Sequence, residues 1–296
     1  MSKAKPRMLV VGSRGFLGGY VTEAAGAEFE VIEGNRTAAS HPSEVKIDVR
    51  EVGSVRAAFR AARPDVVLLL AALSDIDRCE QFPEEARAVN LHGSEHVVDA
   101  CASSNARLLF TSTGAVFDGR RHGYSEEDPV SPVSVYGATK AAAEAKVLEL
   151  DSSIVVRIAL ALGFAGRRGT NALLDNLKHR WSSGQTVALP VFEQRNPIDA
   201  VSLSWFMLDL VKKPGTRGIF HIGSKDSITR YDLGVRLASR MGYPGQVQPQ
   251  REPTLGRAPR GPDHYLLTDK LGLTSAIPIP TCDQAIERCF DGLAQG

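Results

Sequence analysis

The sequence carries almost no net charge. Its 35 lysines and arginines against 34 acids leave a formal +1, so no whole-molecule field draws it to nucleic acid or to an anionic membrane. Local basic pairs such as Arg167-Arg168 read as solvated loop charges. Cysteine is scarce: Cys79, Cys101, Cys282 and Cys289 form no C-x-x-C couple, so neither a zinc ribbon nor a dithiol redox motif is suggested. They read as reduced, mostly buried thiols of a cytosolic protein. Long apolar runs are missing too. MLVV near the amino terminus and VVLLLAAL after Asp65 are too short for a signal-peptide core or a membrane span. There is no internal repeat. What remains is 296 residues, 43% hydrophobic and 23% charged, a globular composition with ample length for a sizeable core.

The strands read as continuous apolar runs: MLVVG, FEVIEG, DVVLLLAA, ARLLFTST and SIVVRIAL. Strands covered on both faces have this pattern, and they belong to parallel sheets. Helical stretches lie between them: the segment from Gly18 to Ala27, SVRAAFRAA, and EEARAVNLHGSEHVVDACASS. This alternation predicts an α/β fold, a Rossmann-type doubly wound parallel sheet. After about Gly163 proline and glycine become frequent, and helical pieces such as ALLDNLKHRWSS and YDLGVRLASRMG intervene. The reading is a dinucleotide-binding domain over 1–163 and a smaller, irregular, mainly substrate-binding domain over 164–296, with some segments returning to the sheet. The Pro/Gly/Arg-rich stretch from Pro244 to Pro262 fits either a linker or a loop over a binding site.

Gly12-Ser13-Arg14-Gly15-Phe16-Leu17-Gly18 directly follows the first strand and opens a helix. Glycines allow the sharp turn and let the backbone approach a pyrophosphate, while the helix amino terminus offers free N–H groups and a positive dipole. The strand–turn–helix context marks a dinucleotide site. The second strand ends in Glu33-Gly34-Asn35-Arg36. A carboxylate at such a strand end binds a ribose 2′-hydroxyl, whereas an arginine accommodates a 2′-phosphate. Asn35 is not an acid, and Arg36, joined by Arg14, favours NADP over NAD. Glu33 pointing at the ribose would reverse that preference.

Tyr136 and Lys140 stand four apart at the start of a helix, YGATKAAAEAKVLEL, and so share a face. A phenol of ordinary pKa about 10 is a poor acid or base near neutrality. An ammonium beside it is expected to lower that pKa. Tyr136 can then give a proton to a carbonyl or take one from an alcohol, and Lys140 can also hold a cofactor ribose. Upstream, Thr111, Ser112 and Thr113 put three hydroxyls at the carboxyl end of a strand, where ligands of such sheets bind. Spacing does not choose among them.

Taken together, GSRGFLG, LLLAALSDIDRCE, AVN, STGAVFDG, VYGATK, VRIALALG, QRNPI, GIFHIGS and APRGPDHYLLTDKLG run in one order along nearly the whole chain. In these pieces the sequence resembles the extended short-chain dehydrogenase/reductases, in their dTDP-4-dehydrorhamnose reductase-like branch. The resemblance implies an NAD(P)-dependent oxidoreductase acting on a carbonyl or alcohol carbon of a sugar or nucleotide sugar. It gives the triad hydroxyl to Thr113, with Tyr136 and Lys140. It also matches Asp48 and Val49 to an adenine-contacting pair, Ala71, Ala72 and Leu73 to the loop along the cofactor, and Asn90 to a helix asparagine near the site. The rhamnose-forming reductases read S-T-D-Y-V-F, with an acid and an aromatic facing the sugar, where this chain has Gly114 and Ala115. The S-T-G-A-V-F form is closer to nucleotide-sugar epimerases and dehydratases, which retain their cofactor. The branch also includes a non-catalytic regulatory relative of methionine adenosyltransferase. Family members pair through two helices of the sheet half, which implies a homodimer.

Other patterns are read as structural. His92-Gly93-Ser94-Glu95-His96 fits the H-x-x-E-H zinc motif. However, Gly93 weakens a helix, and the fold needs a crossover helix there, so no metal site is expected. His221 reads as a buried strand histidine, and Trp181 and Trp205 as core or interface residues. The expected partner is a small, sugar-like molecule, with no nucleic acid and no membrane.

Overall fold

Residues 4–37, 40–165 and 172–291 are described in the structure, a computed structural model; Arg167 and Arg168 lie outside the described residues. The main sheet holds β1 Arg7–Val11, β2 Glu30–Asn35, β3 Glu44–Lys46, β4 Val66–Leu69, β5 Arg107–Thr113, β6 Ile154–Ile158 and β11 Gly218–Ile222. Its order is β11-β6-β5-β4-β1-β2-β3, and every pairing is parallel. The chain runs outward from β1 in one direction to β3, then returns to β4 on its other side. That reversal leaves a crevice at the carboxyl ends of β1 and β4. The Rossmann-type reading of the sequence is therefore met. β3 was not foreseen, because EVK has a single apolar residue.

Both faces of the sheet are covered, which is why its strands lack polar alternation. On one face Met8, Val10, Leu68, Leu109 and Val156 pack against Val21 of α1 Phe16–Ala25 and Phe206 and Leu210 of α8 Ala200–Lys212. On the other, Leu9, Val67 and Leu108 meet α2 Val52–Ala62, α5 Gly93–Ser104 and α6 Val135–Val147. In α2 the inward residues are Val55, Ala58, Phe59 and Ala62, at helical spacing. Of these, Val55 and Phe59 each contribute about 1.5–3 kcal/mol by leaving water.

Two single elements expected from sequence are divided. SIVVRIAL is not one strand: Thr113 pairs with Ile158 as the last rung of β5 and β6. Beyond Ala159 the chain leaves the sheet, and β7 Leu160–Leu162 pairs with β10 Pro197–Asp199. EEARAVNLHGSEHVVDACASS is likewise broken. After α3 Ile76–Gln81 and α4 Pro83–Ala86, a π-helical turn over Arg87–His92 precedes α5. At the π turn's end, a Cβ on Gly93 would lie 2.7 Å from Val49 Cγ2. The glycine that weakens this helix is thus the one that lets it close on Val49.

The later segments build beside the crevice. β8 Val187–Pro190 pairs with β13 Val247–Gln250, and β9 Gln194–Arg195 lies between β12 Ile228–Thr229 and β14 Asp263–His264. Trp181 of α7 Leu173–Ser182, Leu237 of α9 Arg230–Arg240 and Ile286 of α11 Cys282–Asp291 share a separate core. The helix α10 Asp269–Thr274 sends Leu271 into the first core. The stretch from Pro244 is a loop over the crevice, not a linker, since Pro253, Arg257 and Gly261 line it. No helix among the described residues is long and apolar enough to cross a membrane.

Candidate active site

A cleft of about 1120 Å³ is lined by both the glycine turn and the Tyr136/Lys140 helix. At the turn, Gly12 adopts φ +94°, and a Cβ there would sit 2.9 Å from Ala71 N. A Cβ on Gly18 would sit 2.4 Å from Gly12 O. The turn therefore folds flat against both β4's loop and its own helix. No side chain caps α1 at Gly15, and its first turn holds no acid. Gly12, Gly15, Phe16, Leu17 and Gly18 all line the cleft.

Farther out, Asn35 is buried, and its Oδ1 accepts from Ser13 Oγ (3.0 Å) and from Arg14 N (2.9 Å). Its Nδ2 is buried without a partner. Arg14 turns away from the cleft: Nη2 bonds both Glu44 oxygens, at 3.0 and 3.2 Å. Ser40 and then Arg14 hold the Glu44 carboxyl down at about 2. Arg36 is exposed, and Ser13 Oγ donates to Glu33 Oε2 at 3.3 Å. Asp48 is engaged by Arg50 at 2.6 Å, and Val49 is buried, its carbonyl 2.8 Å from His96 Nδ1. His92 faces Glu95 instead, so the two histidines of the H-x-x-E-H pattern have separate partners.

Of the loop Ala71–Leu73, Ala72 lines the cleft and Ala71 donates to Val11 O. Leu73 is gripped from behind: its N–H donates to Asn90 Oδ1 (2.8 Å), and Asn90 Nδ2 donates to Leu73 O (3.0 Å) and Thr139 Oγ1 (3.2 Å). Asn90 lies in the π turn and is 1% exposed. Its amide is spent tying the loop to the helix of Tyr136, so its place is support behind the cleft, away from a direct ligand contact.

The start of α6 is fixed twice. Ser134 Oγ accepts from Gly137 N (3.1 Å), and Glu80 Oε1 accepts from Val135 N (2.8 Å). Tyr136 keeps part of its surface on the cleft, which Thr113 also lines, and Thr113 is the hydroxyl residue that pulls the Tyr136 phenol down against burial. Thr111 Oγ1 donates instead to Leu69 O at 3.1 Å, and Ser112 Oγ is buried without a partner. Lys140 is 2% exposed, and its Nζ stands 3.8 Å from the centre of the Phe110 ring.

The proton affinities correct the sequence expectation. Burial pushes Tyr136 up to about 12, against a smaller downward pull from Thr113. Burial brings Lys140 itself down to about 7, with Glu144 opposing. The spacing placed both groups on one face, but their depth, a tertiary property, decides their charge.

The opposite wall was not foreseen. Arg180, Arg195, Arg230, Arg257 and Arg260 line the cleft, against two acids in the lining, Asp118 and Glu193. Arg195 is 6% exposed, and burial brings it down to about 10. Burial also lowers Arg230, with Arg257 and Arg260 adding to that effect. Asp77 of α3 ties this wall to the sheet half: it accepts from Arg257 Nη2 (2.8 Å), Arg260 Nη2 (2.9 Å) and Ala258 N (2.9 Å). Arg260 foremost holds the Asp77 carboxyl well below its ordinary range. The sequence signal was present as arginines in the Pro244–Pro262 stretch, but those at 180, 195 and 230 are too dispersed to be grouped without the fold.

Comparisons with known proteins agree with this architecture. The family model described as the RmlD substrate binding domain matches residues 6–295. The chain is 31% identical over 253 residues to a dTDP-4-keto-6-deoxy-D-glucose reductase of Streptomyces niveus, covering 82% of each. It is 25% identical over 260 residues to methionine adenosyltransferase 2 subunit beta of Xenopus laevis, covering 86% of this chain and 78% of that one. A solved structure of dTDP-4-dehydrorhamnose reductase from Bacillus anthracis in complex with NADP has a similar fold, with a TM-score of 0.88 at 22% identity, over 97% of this chain and 99% of that one.

Proposed function

Because the chain belongs to the RmlD substrate binding domain family, we propose that it is an NADP-dependent oxidoreductase of the extended short-chain type that reduces a keto group on a nucleotide-linked sugar. The observation that carries this reading is that Thr113, Tyr136 and Lys140 line one cleft with the glycine turn and the arginine wall.

The cleft suits a dinucleotide. Gly12 and Gly18 leave the turn without side chains where a Cβ would collide with backbone, and α1 starts uncapped. Both features favour a pyrophosphate at the helix start. Asn35 Nδ2, buried and unpartnered, has a donor to offer beside Arg36 at the end of β2. When bound, the cofactor supplies the hydride. Thr113 and Tyr136 hold the substrate oxygen, and Tyr136 gives that oxygen its proton as the carbonyl becomes an alcohol. Lys140 holds the cofactor ribose and the charge balance beneath Tyr136. The wall of Arg180, Arg195, Arg230, Arg257 and Arg260 gives the cleft a positive side that suits a diphosphate. Arg195 is already held by the carbonyls of Gln194, Gly261 and Pro262, and Arg257 and Arg260 by Asp77. Residues 1–163 are then mainly the cofactor half and 164–296 mainly the substrate half, in a cytoplasmic enzyme.

The test is oxidation of NADPH with dTDP-4-keto-6-deoxyglucose as probe. Tyr136→Phe is expected to lower kcat by about 10²–10⁴ with NADPH affinity nearly unchanged. Lys140→Met damages both, and Thr113→Ala slows turnover while leaving NADPH affinity closer to normal. Near-normal turnover by Tyr136→Phe would sink this assignment. The likeness to methionine adenosyltransferase 2 subunit beta, over 86% of the chain, supports a second reading as a non-catalytic NADP-binding subunit. Absence of turnover on sugar substrates, together with a stably co-purifying enzyme, would favour it.

A further inference from the structure

We propose that Glu144, clamped by Arg157, is a positioning residue that fixes the charge of Lys140 from beneath the cleft. The proposal rests on the reading of Lys140 as the cofactor's lysine.

Tyr136, Lys140 and Glu144 recur every fourth residue on α6 and make one stripe. The stripe descends from the cleft into the protein: Tyr136 keeps surface on the cleft, Lys140 is 2% exposed and Glu144 3%. Below it, Arg157 of β6 is also 2% exposed. Arg157 Nε donates to Glu144 Oε1 (3.0 Å) and Oε2 (3.2 Å), and Nη2 donates to Oε2 (2.7 Å). The guanidinium rests over the Phe117 ring, 5.0 Å from its centre, and Nη1 donates to His221 Nε2 of β11 at 3.5 Å. Burial and Arg157 keep that histidine neutral, near 3.

The charges in this buried column are therefore Lys140, Glu144 and Arg157. Arg157 donates to both oxygens of Glu144, completing a buried ion pair. Glu144 is then the negative charge that favours an ammonium at Lys140, where burial disfavours one. The other neighbours do not replace it. The strand β5 offers Lys140 only the face of Phe110. From α3, Glu80 is committed to Val135 N and Cys79 acts on Tyr136. From α5, burial keeps the Cys101 thiol neutral, up at about 12. With Arg157 present the column carries an excess positive charge when Lys140 is protonated. Burial brings Lys140 down to about 7, and Glu144 is the group that opposes this fall, directly below Tyr136.

The experiment follows the Lys140 ammonium by NMR of 13C-lysine-labelled, cofactor-free protein over pH, with the signal assigned through Lys140→Met. Glu144→Gln is compared with Glu144→Asp and with the double variant Glu144→Leu/Arg157→Met. The double variant removes the ion pair without leaving a buried unpaired arginine, a change that proteins often tolerate. Loss of the Glu144 charge is expected to weaken proton binding at Lys140 by about ten- to a hundred-fold, moving its midpoint to lower pH. Glu144→Asp is expected to restore most of it. NADPH titrations should then show the alkaline limit of tight binding moving down in step. An unchanged Lys140 midpoint in folded Glu144→Gln overturns the proposal, whatever happens to stability; the double variant, which loses one charge of each sign, is expected to shift the midpoint less than Glu144→Gln. Failure of the wild-type chain to bind NADPH at all would instead remove the reading of Lys140 as a cofactor residue, while the titration still decides the link to Glu144.

Discussion

Replacing Gly137 by alanine changes no reacting group, yet it is expected to disable the cleft. Gly137 sits in the first turn of α6, one residue after Tyr136, and packs on the turn Gly114–Val116 that follows Thr113. A Cβ at this position would lie 2.1 Å from Ala115 O, 3.0 Å from Ala115 C and 3.0 Å from Pro132 Cβ. The first two are backbone atoms and the third is in a ring, so no flexible side chain can swing aside. Comfortable non-bonded contact needs roughly 3.5 Å, so helix and turn must part by about 1 Å or more. Overpacking of this kind costs about 1–3 kcal/mol, and alanine returns up to ~1 kcal/mol through helix propensity. The net loss of stability is therefore small. Catalysis is more sensitive, because a misplacement of ~1 Å can cost about 10²-fold in rate, and this gap opens between Thr113 and Tyr136. The expected signature is a Tm lowered by only a few degrees, an NADPH affinity close to wild type, and a kcat reduced about a hundred-fold. Calorimetry, fluorescence titration and steady-state kinetics read these separately. Wild-type kcat in Gly137→Ala would show that the close approach of helix and turn does not hold the Thr113–Tyr136 geometry.

Arg36→Ala is expected to remove most of the preference for NADPH over NADH, a change of about 10–100-fold in relative affinity from the loss of a charge-assisted phosphate contact; equal discrimination before and after would assign the 2′-phosphate elsewhere. The outer face of α6 is made of small side chains, with Ala138, Ala142 and Ala145 exposed, which would let a second copy approach closely. A homodimer through α5 and α6 is proposed on that ground, and a monomer mass by light scattering at micromolar concentration would remove it.

The parts of this molecule that could be read from sequence are those whose signal is local. Gly12 and Gly18 announce the turn because its backbone tolerates no Cβ there, and that constraint is visible as glycine in the chain itself. The spacing of Tyr136 and Lys140 converts directly to a shared helix face. The strands of the sheet were legible because burial on both faces leaves uninterrupted apolar runs, as in β4, where every residue is buried. What the sequence does not carry depends on tertiary surroundings. A π turn aims the Asn90 amide at Leu73 and Thr139. Glu44, from a strand with a single apolar residue, takes the Arg14 guanidinium. The lowered phenol expected from a neighbouring ammonium gave way to burial of both groups.

The two sides of the cleft are built differently, and this explains their unequal legibility. On the sheet side the surface is backbone: a turn without side chains and an uncapped helix start. On the other side stand five arginine side chains carried on α7, β9, α9 and the loop before Pro262, the wall proposed to take the substrate. Their grouping depends on how those elements cross. The two sides are not independent, because α3 begins just after the loop Ala71–Leu73 and its Asp77 holds both Arg257 and Arg260. Asn90 fixes one end of that connection at Leu73 and Asp77 fixes the other at the arginine loop. The loop Ala71–Leu73 and the arginine loop are thus joined through about one turn of helix. Thr113 and Tyr136 lie between the two walls, where a hydride from one side and an oxygen held from the other must meet.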